Sequence, residues 1–89
     1  MLTLADCLDF IDLDQDTIDV IAEYEKLPPI VAAELGDRLL ASRRGIYRLH
    51  DMYRELIARA AATRTLEREK ALRRAYAAFT RKYPMPRHL

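Results

Sequence analysis

The chain contains few of the residues that build disulfide frameworks, tight turns and sheets. Its 89 residues include one cysteine, two glycines, and few valines and threonines. The single Cys7 excludes an intramolecular disulfide, and the shortage of valine and threonine argues against a sheet. Alanine, leucine, arginine and glutamate are prominent instead, and all four favour helices. The composition therefore predicts an all-α fold.

Long apolar runs are also missing. No stretch approaches the roughly 20 apolar residues of a transmembrane helix, and the N-terminus lacks the basic and apolar regions of a signal peptide. We therefore expect a cytoplasmic protein with no membrane contact. The length predicts one helical domain, residues 1–83, and a loose tail, residues 84–89. Alanine supplies much of the 51% apolar content, which predicts a thin core and favours a homodimer.

Apolar spacing predicts a compact bundle of four to five helices. Leu27-Pro28-Pro29 separates two of them, because Pro28 disfavours a helical Leu27 and Pro29 suits a first helical position. Ser42–Gly45 is predicted to be a turn, and Thr65 to be an N-cap. One long helix over residues 45–83 is the alternative, since no glycine or proline interrupts it. The predicted helices span residues 4–11, 15–26, 29–42, 45–62 and 66–83.

The helix over residues 29–42 contains an apolar stripe and an interior glycine. Its apolar stripe is predicted to be Val31, Leu35 and Leu39. Gly36 marks either the close approach of another helix or a position on the surface.

Charge is divided between the two halves of the chain. Residues 1–41 carry ten acids and two bases, and residues 42–89 carry four acids and thirteen Lys/Arg. Such a separation favours self-association, docking of one half on the other, or an acidic partner for the basic half. Arginine-rich helices also track phosphates, so nucleic-acid binding is an alternative. The candidate interaction residues are Arg44, Arg48, Lys70, Arg73, Arg74 and Arg81.

The acidic half contains a weak cation motif. Asp12, Asp14, Asp16 and Glu23 match positions 1, 3, 5 and 12 of a calcium-binding EF-hand loop, and their oxygens suit a hard cation. The sixth position, normally glycine, is Thr17. A helix start rich in acids is the competing interpretation, because carboxylates stabilise the positive end of the helix dipole.

No arrangement of residues predicts catalysis, so we expect a protein that is not an enzyme and needs no cofactor. His50 lies beside the apolar stripe of its helix and is predicted to be a boundary residue. Cys7 is predicted to be a small buried hydrophobe. Its neighbours Asp6 and Asp9 disfavour the thiolate that a nucleophile requires.

Three segments resemble a family of small, uncharacterised proteobacterial helical proteins: Met1–Leu8 (MLTLADCL), Ile21–Glu23 (IAE) and Pro29–Gly36 (PIVAAELG). The resemblance implies a bacterial, cytosolic, helical protein and assigns no activity. Members of the family often carry histidine where this chain has Tyr24 and Lys26, which implies that metal chemistry there is absent here. Composition and charge make a non-enzymatic interaction or regulatory module the leading hypothesis. Such a module would self-associate or bind another protein.

Overall fold

The computed structural model describes residues 13–87 and folds them as four helices. They are α1 (Gln15–Glu25), α2 (Pro29–Leu40), α3 (Arg43–Ala62) and α4 (Leu66–Lys82). The described residues contain no strand, which confirms the all-α prediction. None of these helices combines the length and apolar character that crossing a bilayer requires.

Several predictions concern residues outside this range. The predicted helix over residues 4–11 and the interpretation of Cys7 lie outside the described residues, as does Asp12 of the cation motif.

The connection between α1 and α2 follows the prediction from its prolines. Lys26 adopts the left-handed conformation, with φ 58°. The Leu27 N–H then donates to the Ala22 carbonyl at 2.9 Å, which closes the C-terminus of α1. Pro29 occupies the first position of α2, where its missing N–H costs no helical hydrogen bond.

The predicted apolar stripe of α2 is correct only in part. Leu35 and Leu39 are half-buried and pack against the core. Val31 is 43% exposed, and the fully buried face consists of Ala32, Ala33 and Gly36. A Cβ on Gly36 would overlap Leu13 Cδ1 and come within 2.9 Å of Ile21 Cδ1. The small residues of α2 therefore face α1, because α1 and the segment before it approach too closely for larger side chains.

The turn predicted at Ser42–Gly45 lies earlier in the structure, at Ala41 and Ser42, because α3 already begins at Arg43. The Ser42 hydroxyl accepts a hydrogen bond from the Gly45 N–H at 3.0 Å and caps the helix. A Cβ on Gly45 would overlap the carbonyl group of Leu39. This glycine is needed for the close contact between the end of α2 and the first turn of α3.

Residues 63–65 divide α3 from α4, so the alternative of one long helix is wrong. Arg64 has φ 57°. The Thr65 N–H donates to the Ala60 carbonyl at 2.9 Å, and the Arg64 N–H donates to the Ala61 carbonyl at 3.2 Å. These two bonds form a Schellman motif, which ends α3 without glycine.

All four helices contribute to the core, and its centre, between α1, α3 and α4, is aromatic. Tyr53 of α3 and Phe79 of α4 are fully buried, with ring centroids 5.3 Å apart. Tyr76 stacks on Tyr53 at 5.2 Å. Three- and four-residue spacing in the sequence predicts that the apolar residues of α3 and α4 face inwards. Seven of them are buried: Leu49, Tyr53, Leu56, Ile57, Ala60, Leu72 and Phe79.

Candidate interaction surface

The acidic helix α1 docks on the two basic helices through ion pairs. Glu25 lies 2.7 Å from Arg48 of α3, and Glu23 pairs with Arg68 of α4. Asp14, just before α1, lies 3.5 Å from Lys82 at the end of α4. All three pairs are exposed, so each contributes little to stability. They show that some acids of the first half of the chain pair with bases of the second half of the same chain.

The six predicted interaction residues fall into two groups, those that form an ion pair and those that do not. Arg48 bonds Glu25, and Arg73 bonds Glu69 one turn earlier at 2.8 Å. The other four are exposed, and none of them forms an ion pair with a described residue: Arg44, Lys70, Arg74 and Arg81. Helices α3 and α4 carry eleven Lys/Arg against four acids. The surface of these two helices therefore stays strongly positive after α1 has docked.

Two of the predicted residues meet at a groove between α3 and α4. The groove has a volume of about 620 Å³, and its lining includes Arg73 and Arg81 of α4. Arg54 of α3 completes the set of three guanidinium groups, and no acid lines the groove. Between the arginines the lining is mostly apolar: Ile57, Tyr76, Ala77 and Thr80.

Arg54 was not among the predicted site residues. It lies about as far before the break at 63–65 as Arg73 and Arg74 lie after it. Two antiparallel helices joined there place such positions side by side. The equal distances of Arg54 and of Arg73 and Arg74 from residues 63–65 could have indicated that these arginines lie side by side. That inference required knowing that the helix is broken there. The remaining four predicted residues do not line the groove: Arg44, Arg48, Lys70 and Arg74.

The described residues of the cation motif are not gathered around one point. Asp14 is directed to Lys82 and Glu23 to Arg68. Within residues 13–87, no group of three or more His, Cys, Asp or Glu side chains is placed to hold a metal ion.

His50 is buried, so its prediction as a boundary residue is wrong. Its Nε2 lies 2.7 Å from the Tyr83 carbonyl oxygen, which only accepts, so Nε2 carries the proton. In the neutral ring, Nδ1 accepts from the Tyr76 hydroxyl at 2.8 Å. Burial lowers the pKa of His50 below its usual value. The histidine thus joins α3 to the end of α4, and both of its nitrogens are occupied.

A second hydrogen bond crosses the interior between α1 and α3. The hydroxyls of Thr17 and Tyr53 lie 2.7 Å apart, and both residues are buried. Burial raises the pKa of Tyr53 to about 12, so this phenol stays protonated at neutral pH.

A polar cluster lies on the surface between the same two helices. The Tyr24 hydroxyl donates to Glu55 Oε2 at 2.6 Å, and Arg59 Nη2 donates to Glu55 Oε1 at 3.0 Å. The bond from Tyr24 lowers the pKa of Glu55 and raises that of Tyr24. The four-residue spacing of Glu55 and Arg59 on α3 favours their ion pair, and the hydrogen bond from Tyr24 connects α1 to α3.

Residues 13–87 thus form an all-α arrangement of four helices, with a basic groove over an apolar floor between α3 and α4. Comparison of the chain with protein-family models, curated proteins and solved structures found no match.

Proposed function

We propose that this chain is a small, non-enzymatic, cytoplasmic interaction module that self-associates through surfaces of opposite charge. The observation that carries the proposal is the groove between α3 and α4, where three arginines surround an apolar floor without an acid. An apolar floor with a charged rim is the usual anatomy of a protein-binding surface, in which arginine is enriched.

Charge supports a second copy of the chain as the partner. Residues 1–41 carry an excess of eight negative charges, and the described acids Asp16, Asp19, Glu34 and Asp37 form no ion pair with a described base. Each copy therefore offers both an acidic and a basic surface, and complementary potentials steer such surfaces together.

The test is sedimentation velocity of the full chain at about 20 mM and about 500 mM salt. Screening shortens the reach of exposed charges from tens of ångströms to a few. We expect a species of twice the 10.3 kDa chain mass at low salt and a shift towards monomer at high salt. A monomer at low salt across the micromolar range would overturn the proposal. The samples must be free of nucleic acid, which would compete for the same arginines.

A further inference from the structure

We propose that the outer face of α2 in one copy binds in the groove between α3 and α4 of a second copy, and that two such contacts close a dimer. This inference rests on the proposed function and names its two surfaces. The rim of the groove is Arg54, Arg73 and Arg81, and its floor includes Ile57 and Ala77. An occupant that matches this lining must carry both carboxylates and aliphatic side chains.

The outer face of α2 carries both. Ile30, Glu34 and Asp37 follow one another at steps of four and three residues, which places them in one row along the helix. All three are exposed, as is Val31 beside them. Of the described residues, three large hydrophobic side chains are exposed, and two of them lie here, Ile30 at 47% and Val31 at 43%. The outer face is defined as these four residues.

The charges of the two surfaces are opposite and available. Glu34 and Asp37 form no ion pair with a described residue, and neither do Arg54 and Arg81. Arg38 is the one base of α2, and it lies at the edge of the outer face. Docking would bring the two carboxylates beside guanidinium groups, with which they form strong, geometrically defined bonds.

The two surfaces also match in length. Ile30 and Asp37 are seven residues apart, about 10 Å along the axis of α2. On α4 the lining extends from Arg73 to Arg81, about 12 Å at 1.5 Å per residue. An amphipathic helix laid in a groove between two helices is a recurrent mode of recognition.

Packing of α2 in its own bundle requires that the occupant come from a second copy. Gly36 faces Leu13 and Ile21, and the end of α2 at Leu39 lies against Gly45 of α3. Gly36 is about 200° around the helix from Glu34, so the outer face is directed away from its own bundle. Each copy therefore offers one outer face and one groove, and reciprocal contacts under two-fold symmetry stop at the dimer.

The first experiment reverses the charge of the groove in the full chain. Sedimentation equilibrium at about 20 mM salt, where exposed charges are weakly screened, measures the dimer dissociation constant. Arg54→Glu/Arg81→Glu should weaken dimerisation about tenfold or more. The matched control, Arg44→Glu/Arg74→Glu, makes the same charge change at two exposed arginines outside the groove and should stay within about threefold of the wild type.

The second experiment reverses the charge of the outer face. Glu34→Lys/Asp37→Lys should weaken dimerisation about tenfold or more, because lysines would then meet arginines. The matched control is Asp16→Lys/Asp19→Lys on α1, which changes two exposed acids that lie outside the outer face. This control should stay within about threefold of the wild type.

A third variant tests the apolar part of the contact. Ile30→Gln/Val31→Gln leaves every charge in place, and glutamine favours a helix at least as well as the residues it replaces. Dimerisation should weaken about tenfold at both low and high salt, since the loss is of apolar burial. Unchanged dimerisation would show that the outer face is not buried in the contact.

Circular dichroism at 222 nm verifies that each variant is helical. Neutral substitutions provide milder forms of the two reversals: Arg54→Gln/Arg81→Gln and Glu34→Gln/Asp37→Asn. Mixing the two reversed variants in equal amounts should restore a dimer, because each outer face then meets a groove of opposite charge on the other copy.

The residues before α1 are the alternative occupant, since Asp14 lies 3.5 Å from Lys82 at the end of α4. Asp6→Lys/Asp9→Lys tests this alternative and should leave dimerisation within about threefold of the wild type. A change of about tenfold in either direction would assign the groove to that segment and overturn the inference.

Three further results would overturn it. If a groove variant or an outer-face variant dimerises like the wild type, or if the α1 control weakens dimerisation as much as the outer-face reversal, α2 and the groove are not the specific contact, while the proposed self-association stands. If the mixture of reversed variants stays monomeric, the two surfaces do not pair between copies. If the wild type itself is monomeric, the inference and the proposed function both fail.

Discussion

Thr17 and Tyr53, which are 36 residues apart in the sequence, form a buried hydrogen bond with 2.7 Å between their hydroxyl oxygens. Both residues are buried, so each hydroxyl depends on the other for its hydrogen bond. This bond fixes the position of α1 over the aromatic layer of α3 and α4, since Tyr53 also stacks on Tyr76.

A double-mutant cycle measures this dependence. Thr17→Val and Tyr53→Phe should each lower the free energy of unfolding by about 1–2 kcal/mol, because each leaves one buried hydroxyl unpaired. The double variant should lose clearly less than the sum, because it leaves neither group unsatisfied. Urea unfolding followed by circular dichroism gives the values. Strictly additive losses would show that the two hydroxyls do not depend on each other.

Acid should destabilise the fold through His50. The folded state holds this ring neutral with a lowered pKa, while the unfolded ring titrates near pH 6.5. Below pH 6.5 the unfolded chain therefore binds the extra proton, and the free energy of unfolding falls by at most about 1.4 kcal/mol per pH unit until the folded ring also titrates. Arg54 adds to the lowering, whereas Asp51 opposes it.

Urea unfolding at pH 7.5, 6.5 and 5.5 tests the effect, with His50→Gln as the comparison. The wild type should lose more stability than the variant between pH 6.5 and 5.5, a range above the titration of ordinary carboxylates. Parallel curves for the two proteins would assign the pH dependence to other groups.

The two glycines should respond unequally to a methyl group. Gly45→Ala should lower the free energy of unfolding by about 2–3 kcal/mol, since the new Cβ overlaps the backbone of Leu39. Gly36→Ala should cost less, because it meets the flexible ends of Leu13 and Ile21 and gains helix propensity. Thermal unfolding orders the two variants, and an equal or larger loss at Gly36 would contradict the difference.

Arg64 offers a position at which glycine should stabilise the protein. Its left-handed backbone disfavours any residue with a Cβ, and its exposed side chain forms no ion pair with a described residue. Arg64→Gly should raise the free energy of unfolding by about 0.5–1 kcal/mol after the greater entropy of unfolded glycine is included. Arg64→Ala is the control, because it removes the same charge but keeps the Cβ. A gain with alanine equal to that with glycine would assign the effect to charge.

Helices α3 and α4 could be predicted from the sequence because each has one clear apolar face. Tyr53 and Phe79 lie on those faces, and both are buried. The buried face of α2 could not be predicted in this way. Its four consecutive apolar residues are distributed around the helix axis and so do not define one face: Ile30, Val31, Ala32 and Ala33. Its orientation depends on how closely α1 approaches Gly36, which is a tertiary property.

The surroundings of His50 and the groove between α3 and α4 also could not be predicted from the sequence. His50 Nε2 donates a hydrogen bond to the backbone carbonyl of Tyr83, 33 residues away. No local sequence pattern predicts a backbone acceptor so distant in the chain. The groove depends on the pairing of α3 with α4 across the break at residues 63–65, which brings Arg54 to Arg73 and Arg81. The excess of basic residues was visible in the sequence, whereas their arrangement around an apolar floor was not.

The tight contact of Gly45 with Leu39 also determines where this chain is able to exchange elements between copies. Three-dimensional domain swapping requires a hinge that opens into an extended or continuous segment. Opening the corner between α2 and α3 into one helix would remove the Ser42 cap and leave Gly45 inside a helix, where it costs about 1 kcal/mol relative to alanine. This corner is therefore a poor hinge for domain swapping.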